Sequence, residues 1–164
     1  MSEAIQKLSK TIVQRCTDNA KLVVTAESCT GGLIAGAITD IAGSSAALER
    51  GFVTYSNESK NEMLSVPAEM IEEHGAVSEE VAHYMVLGAL GHSQANFGVA
   101  VTGVAGPGGG SEEKPVGLVY IAAASKEPQR VIVSKELFPD NGRASIREAT
   151  VQRALTMLLD QLDA

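Results

Sequence analysis

Apolar positions along this chain switch between two periods. From residue 3 to about 18, Ile5, Leu8, Ile12, Val13 and Cys16 recur at helical spacing with lysines and glutamines opposite, which predicts an amphipathic helix. Asp18-Asn19-Ala20 turns the chain into a continuous apolar run, Leu22-Val23-Val24, which predicts a buried strand. Helical spacing returns with Leu33, Ile34, Ala37, Ile38 and Ile41 on one face, and Ala42-Gly43-Ser44-Ser45 ends that helix. A helical turn around 46–50 comes next. Gly51 to Asn57 is rich in β-branched and aromatic residues and predicts a second strand. Short helices are expected from Glu58 to Leu64 and again from Pro67, a residue suited to the first helical position, with Gly75 as the stop. Ser78-Glu79-Glu80 is an acidic helix start, and Val81, Ala82, Met85, Val86, Ala89 and Leu90 share one face of the helix it opens. Phe97 to Thr102 is almost wholly apolar, as a central strand covered on both faces should be. Two more strands are expected at 116–124 and 130–138. Ser145-Ile146-Arg147-Glu148 has the form of a capping box, ahead of a last helix with Val151, Leu155, Leu158 and Leu162 on one stripe.

Strands alternating with helices, then two adjacent strands, predict an α/β protein. The expected architecture is a three-layer α/β/α sandwich with a mixed, mostly parallel central sheet. No repeat or linker interrupts the pattern, so residues 1–164 read as a single domain. At this length a chain buries roughly 70% of its unfolded surface without a disulfide or metal staple. The net charge of -7 argues against nucleic acid and anionic membranes as partners, while leaving room for a local basic pocket. Cys16 and Cys29 fit the free thiols of a reduced, cytoplasmic protein. Met1-Ser2-Glu3-Ala4 has no apolar signal core, and no apolar run approaches the ~20 residues of a membrane span.

Candidate chemistry gathers where the first strand turns into the second helix, at Thr25-Ala26-Glu27-Ser28-Cys29-Thr30-Gly31-Gly32. Two nucleophile types stand side by side there. The first N–H groups of a helix lack intrahelical partners, and with the helix dipole they favour an anion or a developing oxyanion. Cys29 at such a position can be an activated thiol or simply a small buried hydrophobe. Glu27 caps the helix or orients a partner. Metal chemistry and a Ser-His-Asp triad both lack support. The histidines number three, His83 and His92 point to opposite sides of one helix, and none lies near a strand end. Lysine is the next candidate base. If the second strand runs parallel to the first, Tyr55 and Lys60 emerge at the same sheet edge as Ser28. A serine–lysine pair runs acyl transfer when burial or a nearby positive charge keeps the lysine neutral. The ordinary alternative is a solvated helix lysine and a half-buried tyrosine. A second anion cradle lies in Thr102-Gly103-Val104-Ala105-Gly106-Pro107 and the glycines after it, which match neither a P-loop nor the dinucleotide fingerprint. Lys114 and Arg143 are the basic residues near these loops.

These stretches, together with Gly51-Phe52-Val53-Thr54-Tyr55-Ser56-Asn57-Glu58, Gly75-Ala76-Val77-Ser78 and Ser111-Glu112-Glu113-Lys114-Pro115-Val116-Gly117, strongly resemble the CinA C-terminal domain family. The likeness runs from the first helix to the last and is closest to the stand-alone nicotinamide-nucleotide amidases of that family. It implies deamidation of nicotinamide mononucleotide to nicotinate mononucleotide and ammonia, without a cofactor or metal. It implies Ser28, Tyr55 and Lys60 as catalytic residues, which decides between Ser28 and Cys29. Substrate binding is expected from Cys29, Thr30, Gly31, Gly32, Thr102, Gly103, Gly106 and Arg143, with the division between phosphate and oxyanion sites open. A homo-oligomer is expected. The rival expectation is a non-catalytic nucleotide-binding module associated with competence or DNA damage.

Overall fold

A computed structural model describes residues 1–164. Along the chain stand α1 (Glu3–Asn19), β1 (Val23–Glu27), α2 (Leu33–Thr39), a 3₁₀ turn (Ser44–Ala46), β2 (Leu48–Val53), α3 (Asn57–Leu64), α4 (Ala68–His74), α5 (Glu79–Gly91), β3 (Phe97–Gly103), β4 (Leu118–Ser125), β5 (Arg130–Leu137) and α6 (Arg143–Asp163). The sheet order is β2-β1-β3-β4-β5. β1 pairs in parallel with both β2 and β3, while β4 is antiparallel to β3 and to β5. Four of the five strands therefore run the same way, as a mixed, mostly parallel sheet requires.

Alternate residues of the central strands feed two separate cores. Val23, Val99, Val101, Val119, Ile121 and Ala123 face the layer of α1, α2 and α6. Val24, Ala26, Ala100, Ala122 and Ala124 face α5 and its neighbours. Side chains on the second face are small, so α5 lies close to the sheet. Its six predicted apolar positions are all buried. At Gly88 the approach to α3 is so tight that a Cβ would fall 1.9 Å from the Leu64 carbonyl oxygen.

Three local expectations are corrected. α2 ends at Thr39, several residues early, because Gly43 at φ +86° turns the chain into the 3₁₀ segment; Leu33, placed on the core face by its spacing, is exposed. β2 starts at Leu48 and stops at Val53, and Ser56 caps α3, so Asn57 opens a helix rather than closing a strand. α6 begins at Arg143 after Gly142 at φ +98°, which puts Ser145 inside the helix and not at its cap. The early start matters, since it sends both Arg143 and Arg147 toward the carboxyl ends of the strands.

Candidate active site

The chain leaves β1, passes through α2 to β2 on one side, and later returns to β3 on the other side of β1. Strand order reverses at β1, and a crevice opens at the carboxyl end of such a switch point. Neighbouring strands hold that end in register beyond the ladder itself. The Thr54 N–H donates to the Glu27 carbonyl at 2.8 Å and the Ser28 N–H to the Val101 carbonyl at 3.2 Å. Ser28, the turn after β2 and the end of β3 thus meet around one cleft of about 280 Å³.

Lys60 sits one turn into α3 and points back under this cleft. It is only 1% exposed, among the largest fully buried side chains of the protein. Its Nζ lies 3.1 Å from Ser28 Oγ and donates to the Thr54 carbonyl at 2.9 Å. No carboxylate pairs with it. Burial without a counter-ion lowers its pKa from the ordinary lysine value. A neutral amine has one lone pair, and with the Thr54 carbonyl taking an N–H, that lone pair can receive the serine proton.

Cys29 lines the same cleft but belongs to the core beneath it. Burial pushes its thiol up to about 11, so it stays protonated and unreactive near neutral pH.

Glu27 is fully buried, and its carboxylate accepts from Thr30 Oγ1 at 2.6 Å, the Ile34 N–H at 2.8 Å and the Ala35 N–H at 3.0 Å. The anion expected at the start of α2 is therefore the chain's own side chain. Those N–H groups are not free for a ligand. Thr30, Gly31 and Gly32 stand behind the nucleophile and do not line the cleft. Their positive φ angles, +59° at Gly31 and +101° at Gly32, let the backbone reverse into α2.

The opposite wall is the end of β3 and the loop after it. Thr102, Gly103, Val104, Ala105, Gly106, Gly108 and Gly109 line the cleft. Gly103 is required by β4, since a Cβ there would sit 2.6 Å from Val119 Cγ2. Thr102 Oγ1 donates to the Ala76 carbonyl at 2.7 Å and ties the turn after α4 to the same wall. Arg143 Nη1 donates to the Gly106 carbonyl at 2.7 Å and Nη2 to the Tyr55 hydroxyl at 2.9 Å. No carboxylate neutralises this guanidinium. Tyr55 is 61% exposed and makes no hydrogen bond to Ser28 or Lys60, so it stands on the rim with Arg143 and not between serine and lysine. Asn57, Ala76 and Val77 complete the cleft; they lie in stretches that carry the family likeness, but their residue types did not mark them as site residues. No three His, Cys, Asp or Glu side chains converge as metal ligands anywhere in the chain.

The mixed α/β sheet agrees with the fold of known proteins. The model of the CinA C-terminal domain matches residues 5–162, and the chain belongs to that family. The nicotinamide-nucleotide amidohydrolase PncC of Escherichia coli K12 is 48% identical over 153 residues, 93% of this chain and 92% of that protein. The PncC of Enterobacter agglomerans is 53% identical over 136 residues, 83% of this chain and 82% of its own. A CinA-like protein of Akkermansia muciniphila is 46% identical over 160 residues, and there the chain spans 38% of the relative's length. Among solved structures, the competence/damage inducible protein CihA from Agrobacterium tumefaciens has a TM-score of 0.97 at 51% identity, covering 100% of this chain and 98% of its own. No helix of the chain is long and apolar enough to cross a membrane.

Proposed function

We propose that this chain is a nicotinamide-nucleotide amidase that hydrolyses the carboxamide of nicotinamide mononucleotide to nicotinate mononucleotide and ammonia. The observation that carries the reading is Ser28 Oγ within 3.1 Å of a buried Lys60 that has no counter-ion. The PncC relatives matched over nearly their full length support the substrate. A module that only binds nucleotides has no use for a desolvated lysine beside a serine, and burying such a group is destabilising.

Neutral Lys60 takes the Ser28 proton while Oγ bonds to the carboxamide carbon. The Cys29 N–H, which has no backbone acceptor, receives the resulting oxyanion. Ser28's own N–H is committed to Val101 and takes no part. Such a donor lowers the barrier by about 3 kcal/mol. The C–N bond then breaks, and Lys60 returns the proton to the departing ammonia. Water, deprotonated by Lys60, cleaves the ester and restores Ser28. The pyridinium charge of the substrate withdraws electrons from the carboxamide and disfavours protonation of Lys60. The phosphate is assigned to Arg143 and the loop around Gly106 to Gly109, because the first turn of α2 is already occupied by Glu27. Tyr55, bonded to Arg143, contacts the substrate at the rim. Residues 1–164 act as one amidase domain in the cytoplasm. Exposed Ile132 and Leu137 on the edge strand β5 support assembly into a homo-oligomer.

The test is ammonia release from nicotinamide mononucleotide by wild type, Ser28→Ala and Cys29→Ala. Turnover by the wild type and Cys29→Ala, and none by Ser28→Ala, is the expected pattern. Full activity in Ser28→Ala sinks the serine mechanism, and no release by folded wild type sinks the amidase reading.

A further inference from the structure

One cation near the nucleophile stands outside the cleft. Arg147 lies one helical turn after Arg143 on α6, on the side of the turn away from the cleft. Its Nε donates to the Cys29 carbonyl at 3.0 Å and its Nη2 to the Thr30 carbonyl at 3.1 Å. Two adjacent carbonyls of the turn are thus held by one planar fork, a geometry that lysine does not reproduce. Its charge is not spent on a carboxylate: the ion pairs of the protein are elsewhere.

Hydrogen bonds in series polarise one another. Arg147 on the Thr30 oxygen polarises the peptide group whose N–H belongs to Gly31. That N–H donates to the Ser28 carbonyl at 3.0 Å. The Ser28 carbonyl in turn shares its peptide group with the N–H of Cys29, a residue that lines the cleft. Contact with the Cys29 oxygen strengthens the Thr30 N–H in the same way. Neither the Cys29 nor the Thr30 N–H has a backbone acceptor. The Cys29 and Thr30 carbonyls are thus held by a guanidinium that does not touch the cleft, and the Ser28 carbonyl by the Gly31 N–H.

We propose that Arg147 is a positioning residue for the reaction, which orients the turn after Ser28 and strengthens the Cys29 N–H toward the oxyanion. The inference rests on the serine mechanism proposed above and deepens it. Because Arg147 acts through peptide groups, its loss should lower kcat and spare KM. A cavity of about 260 Å³ opens beside it on the far side of the turn, lined by Met1, Ile5, Leu33, Ala144 and Val151. Free guanidinium can enter there when the side chain is shortened.

The experiment compares wild type, Arg147→Ala and Arg147→Lys by kcat, KM, melting temperature and the rate at which Ser28 is labelled by an alkyl fluorophosphonate. In that labelling Oγ bonds to phosphorus, fluoride leaves and Lys60 takes the proton. Both kcat and labelling are expected to slow roughly tenfold in Arg147→Ala, short of the ~100-fold or more that loss of an oxyanion donor itself brings. KM should hold. Millimolar guanidinium, and not methylammonium, should restore much of both rates without restoring the melting temperature, and Arg147→Lys should be only partly active. Unchanged rates, or a loss that follows the melting temperature and ignores guanidinium, overturn the proposal. If wild type labels at Ser28 yet releases no ammonia from nicotinamide mononucleotide, the amidase reading fails while the role of Arg147 is still read from labelling alone.

Discussion

The turn Ser28–Gly32 and the loop Gly103–Gly117 both bring glycines to the carboxyl ends of the strands, two in the first and six in the second. Their surroundings differ. A Cβ on Gly31 would stand 3.5 Å from Arg147 Nη2, and one on Gly32 3.5 Å from Val53 Cγ2. The first turn is packed on both sides, held by the Glu27 carboxylate within and the Arg147 fork without. At Gly108 and Gly109 an added Cβ would meet nothing within 4 Å, although both residues line the cleft. The second loop is closed at its base by the Val104 N–H on the Leu118 carbonyl and the Gly117 N–H on the Val104 carbonyl, while Arg143 holds the Gly106 carbonyl and Lys114 Nζ donates to the His74 carbonyl at the end of α4. Glycine thus serves two ends. In the first segment it lets the backbone make a rigid reversal that fixes a nucleophile. At Gly108 and Gly109 it leaves open backbone beside a space of ligand size. A rigid turn suits chemistry, where a misplaced atom is costly in rate, and an open loop suits binding.

If that division holds, substitutions in the two regions should separate kcat from KM. The largest effect is expected at the reacting pair: Ser28→Ala and Lys60→Met should each lower kcat by about 10⁴-fold or more in an ammonia-release assay. The same assay across pH tests the lysine. Since Lys60 acts neutral and burial lowers its pKa, kcat/KM should rise with pH and level off below about 10.4, the ordinary lysine value. A limb at the ordinary value would argue against a desolvated base.

Arg143→Ala comes next, with KM raised about 10- to 100-fold for the loss of a hydrogen bond to a charged group and little change in kcat. A fall confined to kcat would move the phosphate away from the second loop. Smaller effects sharpen the contrast of the glycines. Gly32→Ala, at φ +101°, should lower stability by about 1 kcal/mol or more in denaturant titration and reduce kcat. Gly108→Ala should leave the melting temperature alone and shift only KM. The mildest test is stability. Lys60 has a folded pKa below its unfolded one, so the unfolded chain holds more protons in the window between them. Stability therefore rises with pH across that window, and it is reduced below it. Lys60→Met should melt above wild type near neutral pH, with the gap narrowing toward about pH 10.4.

Much of this molecule follows from local pattern. Helical spacing placed all six buried positions of α5, and the apolar run at 97–102 marked the central strand. The strand-to-helix junction at Ser28 and the lysine after β2 were visible too, because parallel strands bring their carboxyl ends to one edge. Boundaries set by glycines at positive φ were less visible: a helix starting just after Gly142 and a helix stopping before Gly43 both depend on backbone conformations that residue type permits without requiring. What only the tertiary structure decided is the burial and partnering of charge. Whether Lys60 is a solvated helix lysine or a desolvated neighbour of Ser28, and whether Glu27 or a ligand occupies the start of α2, turns on contacts between elements distant in the chain. Arg147 reaches the Cys29 carbonyl across 118 positions of sequence. Periodicity reports which face of an element is apolar; it carries no information on which polar side chain another element will cover, and that covering sets the pKa values and free donors on which catalysis depends.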